Sequence, residues 1–138
     1  MSAEDDAYQE LSCYTLGHPA PTFLHQHVVD AYAAQIATPE TKPIRLTFAL
    51  IGLYLHIERH FTGRQVQRVH ILLARRRHEW PAFPLPDHRG SLTAIDVLAA
   101  PAGPDRDRAI DDWCAAVWSA YKDSKPILVA LLESHNIS

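Results

Sequence analysis

The sequence predicts an all-α fold, a single-domain helical bundle over residues 1–138 with a proline-rich loop in the middle of the chain. Apolar residues recur at helical spacing along most of the chain, and prolines and glycines fall between the periodic segments. The one stretch that also reads as a strand has no second strand to pair with. With 138 residues, 47% of them hydrophobic and 21% charged, and a formal net charge of −3, the composition is that of a soluble globular chain with one core.

The first helix covers "AEDDAYQELSCYTL", residues 3–16, with acidic residues at the end where the helix dipole favours them, and "GHPAP" (17–21) stops it. A second runs from about Pro21 to Ala37, since proline is tolerated in a first turn, and the two prolines of "TPETKP" close it. A third runs from about Pro43 to Phe61 and is apolar nearly all round, which marks a central element. Thr62 is the expected N-cap of a fourth helix that continues to about His78. "EWPAFPLPDHRG" has three prolines within six residues and reads as an extended loop ordered by packing, with Trp80 and Phe83 as anchors. "SLTAIDVLAAP" reads as a short helix capped by Ser91 or Thr93. A long helix then starts at Pro104, and a last one is opened by Ser124.

Several function classes drop out at this stage. No apolar run approaches the length that crosses a bilayer, and the acidic N-terminus lacks the basic-then-apolar order of a signal peptide, so a cytoplasmic protein is expected. Cys13 and Cys114 are far apart and in no paired-ligand spacing, which predicts two reduced, packed thiols. No nucleophile motif or dinucleotide fingerprint is present, and "TGRQ" lacks the second glycine and the lysine of a phosphate loop. Arg64, Arg68 and Arg75 line the fourth helix opposite its apolar stripe, with Arg76 and Arg77 following; a solvated face is the ordinary reading, and an anion the functional one. A net negative chain with no interleaved aromatic platform does not favour nucleic acid as a partner.

The histidines carry the chemical expectation. On the second helix the wheel puts His25 with Val28, Val29, Tyr32 and Ile36 toward the core, and His27, Asp30 and Ala34 outward. On the third, His56 and His60 lie about 40° apart on the flank of Ala49 and Gly52. Two histidines one turn apart can share an ion, and a third from an adjacent helix completes an open site, so His25, His56 and His60 are the expected metal ligands, for zinc, nickel or iron. Glu58 points about 160° away from that pair, and "HIERH" is not the zincin pattern because its glutamate falls one residue late. His70 flanks an apolar stripe and reads as packing. Trp113 reads as core, and Trp118, off that stripe, as a contact for the proline-rich loop. Asp30 is expected to hold a neighbouring segment, through hydrogen bonds or an arginine.

The runs "HQHVVDAYAAQ", "FALIGLYLHIE", "WPAFPLPDHRGSLTAIDVLAA" and "WCAAVWSAY" together resemble a bacterial helical family of unknown function with an H-x-x-x-V-D-A-Y-x-x-Q signature. The likeness covers most of residues 10 to 122 and carries the family histidine onto His25, with Asp30, Tyr32 and Gln35 beside it. This chain lacks the paired-cysteine segment with which many members begin. A looser architectural likeness is to the damage-inducible helical-bundle metalloproteins, which hold a metal with an early histidine and an H-x-x-x-H pair; here the pair sits on an internal helix. Two functions follow as expectations. One is a metal-binding bundle with hydrolase- or transferase-like chemistry on an unknown small molecule. The other is a non-catalytic interaction or scaffold domain with structural histidines and a protein partner.

Overall fold

The computed structural model describes residues 2–17, 22–76 and 79–137. Among them the helices are α1 (Ala3–Leu16), α2 (Leu24–Gln35), α3 (Pro43–Arg59), α4 (Gly63–Arg76), α5 (Ala94–Ala99), α6 (Pro104–Tyr121) and α7 (Lys125–Ser134), with a 3₁₀ turn at Lys122–Ser124 and no strand. The all-α expectation therefore holds. No described helix is long and apolar enough to cross a membrane.

The helix starts follow local chemistry. α1 is opened by a capping box in which the Ser2 hydroxyl accepts from the Asp5 N–H and the Asp5 carboxylate accepts from the Ser2 N–H. Thr62 and Gln65 exchange the same pair of bonds at the start of α4, as do Thr93 and Asp96 at the start of α5. Proline sits in the first turn of α3, α6 and α7, where its missing N–H has no intrahelical acceptor to lose. Ser124 precedes α7 without making a side-chain cap bond. α2 starts at Leu24, after Phe23 in the left-handed region (φ 52°); the expected start at Pro21, most of "GHPAP", and Arg77 and His78 lie outside the described residues. α3 ends where His60 turns left-handed (φ 58°), two residues before the expected Phe61.

One continuous core joins all seven helices, and two elements sit at its centre. α3 is buried from Leu46 through Leu55 save Phe48, as its apolar circumference predicts. α2 is equally central, because α1, α3, α4 and α6 all pack on it. Its alanines let four neighbours come close, so His27, Asp30 and Ala34 are buried together with Val28 and Tyr32. The two-sided wheel drawn for α2 is therefore corrected: His27 does not face out, and neither does Asp30.

The segment between α4 and α5 folds back on the bundle. Phe83 is buried, and Trp80 is half-buried, standing edge-on to Phe48 with ring centroids 5.2 Å apart. Arg89 fastens the loop by donating to the carbonyls of Gln35 and Ala37 at the C-terminal end of α2, where a cation also suits the dipole. Trp118 is buried against Tyr54 and donates to Glu58 at 2.7 Å.

Candidate functional site

Where α2, α3 and α6 meet, polar side chains run from the core, where His27 and Asp30 are buried, through half-buried His56 to Asp111 on the exposed side of α6. His27 and His56 lie face to face, ring centroids 3.5 Å apart and planes within 14°. Asp111, on α6, takes one His56 nitrogen (Nε2 to Oδ1, 2.9 Å), and the Phe61 carbonyl faces the other (Nδ1 to O, 3.1 Å). Both ring nitrogens of His56 therefore face oxygen acceptors, one on α6 and one at the end of its own helix. The same arrangement keeps His27 neutral. Burial first, and then the positive charge of His56, push its pKa down to about 3, with Asp111 opposing. Its Nδ1 is buried and has no hydrogen-bond partner among the described residues.

One turn along α2, the Asp30 carboxyl is also buried. Oδ1 accepts from the Gln26 amide at 3.1 Å, while Oδ2 lies unpaired against Gly52. Burial raises the Asp30 pKa well above the ordinary carboxylate value, with the Gln26 bond pulling the other way. Among the described residues its bond goes to Gln26 of its own helix and no arginine pairs with it, which corrects the expectation that it holds a neighbouring segment. Cys114 completes the cluster: its thiol donates to the His27 carbonyl at 3.6 Å. Burial, then the Asp111 and Asp30 charges, push this thiol well up, so it is a neutral packed group and not a nucleophile.

The sequence-predicted ligands have separate surroundings. His25 is half-buried and bonds Thr15 of α1 (Nδ1 to Oγ1, 3.0 Å); His56 belongs to the stack with His27 and Asp111; His60 is exposed at the end of α3. Among the described residues no three His, Cys, Asp or Glu side chains group so as to hold a metal ion. Imidazole lone pairs lie in the ring plane, so two nearly parallel rings 3.5 Å apart aim theirs within separate, nearly parallel planes. In these orientations His27 and His56 do not both reach one ion at about 2.0–2.1 Å. His27 and Asp111 are the site residues that sequence reasoning missed. The available signal was the run of alanines through α2, whose small side chains allow packing on every side.

The other residues of the α2 signature are ties between elements. The Tyr32 hydroxyl donates to Asp5, and its ring stacks on Tyr8 at 3.9 Å. The Gln35 amide donates to the Leu92 and Arg89 carbonyls at 2.7 and 3.2 Å, and accepts from the Trp113 indole at 3.0 Å. His70 donates to the Phe48 carbonyl at 2.8 Å while stacked on that ring; burial lowers its pKa to about 4 against the pull of the bond, so it is the neutral ring that donates.

A family model matches residues 5–122. The chain belongs to DUF5946, a family of unknown function. No curated protein and no solved structure matches it. For a DUF5946 domain, function has to be argued from the side chains themselves.

Proposed function

We propose that this DUF5946 chain is a non-catalytic interaction domain whose histidines are structural. The observation that carries the reading is where the reactive groups are used. His25, His56 and His70 each bond a neighbouring element or loop, and Cys114 is a buried neutral thiol. Gln35 and Tyr32 bolt α2 to the loop, to α6 and to α1. A buried polar group whose bonds are made specifies one packing of its helices. Arg68, Ile71 and Arg75 of α4, Asp6 and Glu10 of α1 and Ile95 of α5 are instead exposed, and among the described residues none of these charges makes an ion pair. The test is elemental analysis of protein purified without a histidine tag, paired with thermal unfolding with and without chelator. The reading expects sub-stoichiometric metal and no shift with chelator.

One observation favours the second reading, a His-ligated bundle for zinc, nickel or iron. The His27 Nδ1 atom is buried without a partner among the described residues, on a ring stacked on His56, which in turn bonds Asp111, and imidazole and carboxylate donors suit such ions. It requires one imidazole of the stack to rotate. Stoichiometric metal that is lost on replacing His56 together with His27 would place the ligands there. Metal lost on replacing His25, His56 or His60 singly, with His27→Ala retaining it, would place them on the set the spacing suggests. Either result would overturn the structural reading.

A further inference from the structure

We propose that the protein pairs with a second copy of itself, the outer face of α4 from each copy seating in the groove between α1 and α5 of the other. This deepens the interaction reading, and rests on it, by naming the partner. On α4, Arg68, Ile71 and Arg75 follow one another at i, i+3 and i+7, so they form one line along the exposed side. Ile71 is 48% exposed, on the side of α4 opposite its buried Val66, Val69 and Leu73. Neither arginine makes an ion pair among the described residues, where the pairs are His56–Asp111, Arg108–Asp105 and Lys125–Glu58.

The complement is on the other helix pair. α1 and α5 bound an open groove of about 460 Å³ lined by Ala3, Asp6, Ala7, Glu10, Ile95 and Leu98. Its lining is apolar apart from two carboxylates, Asp6 and Glu10, which have no ion-pair partner among the described residues; Ile95 is 44% exposed. Two cations bracketing an exposed isoleucine thus match an apolar groove edged by two anions. Along the helix axes Arg68 and Arg75 stand about 4.5 and 6 Å on either side of Ile71, and Asp6 and Glu10 about 6 Å apart. An isoleucine seated in the groove leaves one arginine on each side to meet a rim carboxylate. α4 packs on α3 and α2, and α1 on α5 and α2, and neither charge set finds its counter-charge among the described residues of its own chain. A second copy supplies both surfaces at once, and a two-fold pair makes the contact twice and closes. Exposed ion pairs contribute little each, so the apolar insertion supplies affinity and the charges supply register.

The test is sedimentation equilibrium of the full chain over a concentration series reaching the sub-millimolar range, at low and at high salt. The parent is expected to form a species of twice 15.5 kDa that weakens as salt rises. Arg68→Glu/Arg75→Glu and Asp6→Lys/Glu10→Lys, each with parental circular dichroism, should each raise the dissociation constant at least about tenfold. Mixed one to one they should pair again, because every contact in the mixed pair is once more between opposite charges. A parent that stays monomeric at low salt overturns the proposal, as does a dimer untouched by either double variant or a mixture that remains monomeric. None of these results touches the interaction reading, which stands or falls on metal content and chelator response.

Discussion

Replacing Gly52 by alanine tests the centre of the fold. A Cβ built there lies 1.8 Å from Asp30 Oδ2, 2.6 Å from its Cγ and 3.2 Å from a Val66 methyl, where ordinary carbon contacts begin near 3.5 Å. The carboxyl must therefore retreat by roughly 1.5–2 Å, or α2 and α3 must separate. Asp30 has little freedom to retreat, being buried and held by Gln26 through its other oxygen. Overpacking of this kind costs about 1–3 kcal/mol, and loss of the Gln26 bond about 1 kcal/mol more. The better helix propensity of alanine returns up to about 1 kcal/mol. The net expectation is a loss of about 1–3 kcal/mol, which for a chain of this length lowers Tm by roughly 3–10 °C. Thermal and urea unfolding of the parent, Gly52→Ala, Asp30→Ala and the double variant form a cycle. The double variant should be more stable than the sum of the single losses by at least about 1 kcal/mol, because removing the carboxyl makes room for the methyl. A Gly52→Ala protein with Tm equal to or above the parent, or an additive cycle, would refute the close approach of α2 and α3.

Burial raises the Asp30 pKa, so the folded state holds that proton more tightly and stability falls as pH rises from the ordinary carboxylate value toward the folded one; the Tm advantage of Asp30→Asn over the parent should grow with pH across that window in differential scanning calorimetry. His27 and His70 have the opposite sign. With folded pKa values lowered to about 3 and about 4, the unfolded state binds more protons below the usual 6.5, and each site should remove about 2 kcal/mol between about pH 7 and pH 5. His70→Gln should recover about that much of the loss relative to the parent, and an unchanged pH profile would show that His70 is not held neutral. Gly63→Ala places a Cβ 1.9 Å from the Phe23 carbonyl oxygen, backbone that cannot rotate aside, and should unfold at lower Tm than Gly52→Ala. Gln35→Ala leaves the Trp113 indole without its acceptor and the Leu92 and Arg89 carbonyls without a donor, and should lower stability by about 2–4 kcal/mol in urea, with faster proteolysis between residues 79 and 92.

Much of the architecture was legible from local chemistry. α1, the capping of α4 by Thr62 and of α5 by Thr93, the prolines opening α3 and α6, and the burial of α3 all follow from nearest neighbours in the chain and from helical periodicity, which operate over a few residues. The faces of α2 were not legible. A wheel assumes one wet side, and α2 has none to spare, because its alanines let α1, α3, α4 and α6 close around it. That is why His27 and Asp30, polar and assigned to solvent by periodicity, became the buried groups of the bundle, and why His56 found His27 and Asp111 as neighbours. Trp118 and Gln35 repeat the lesson, their partners Glu58 and Trp113 lying 60 and 78 residues away. The sequence by itself determined which segments are helices, how α1, α4 and α5 are capped and which helix is apolar throughout. Only the tertiary structure decided which imidazole is neutral, which carboxyl is buried and which charges are left without partners, because those properties depend on the number of helices packed around a side chain, and periodicity along one helix carries no count of its neighbours.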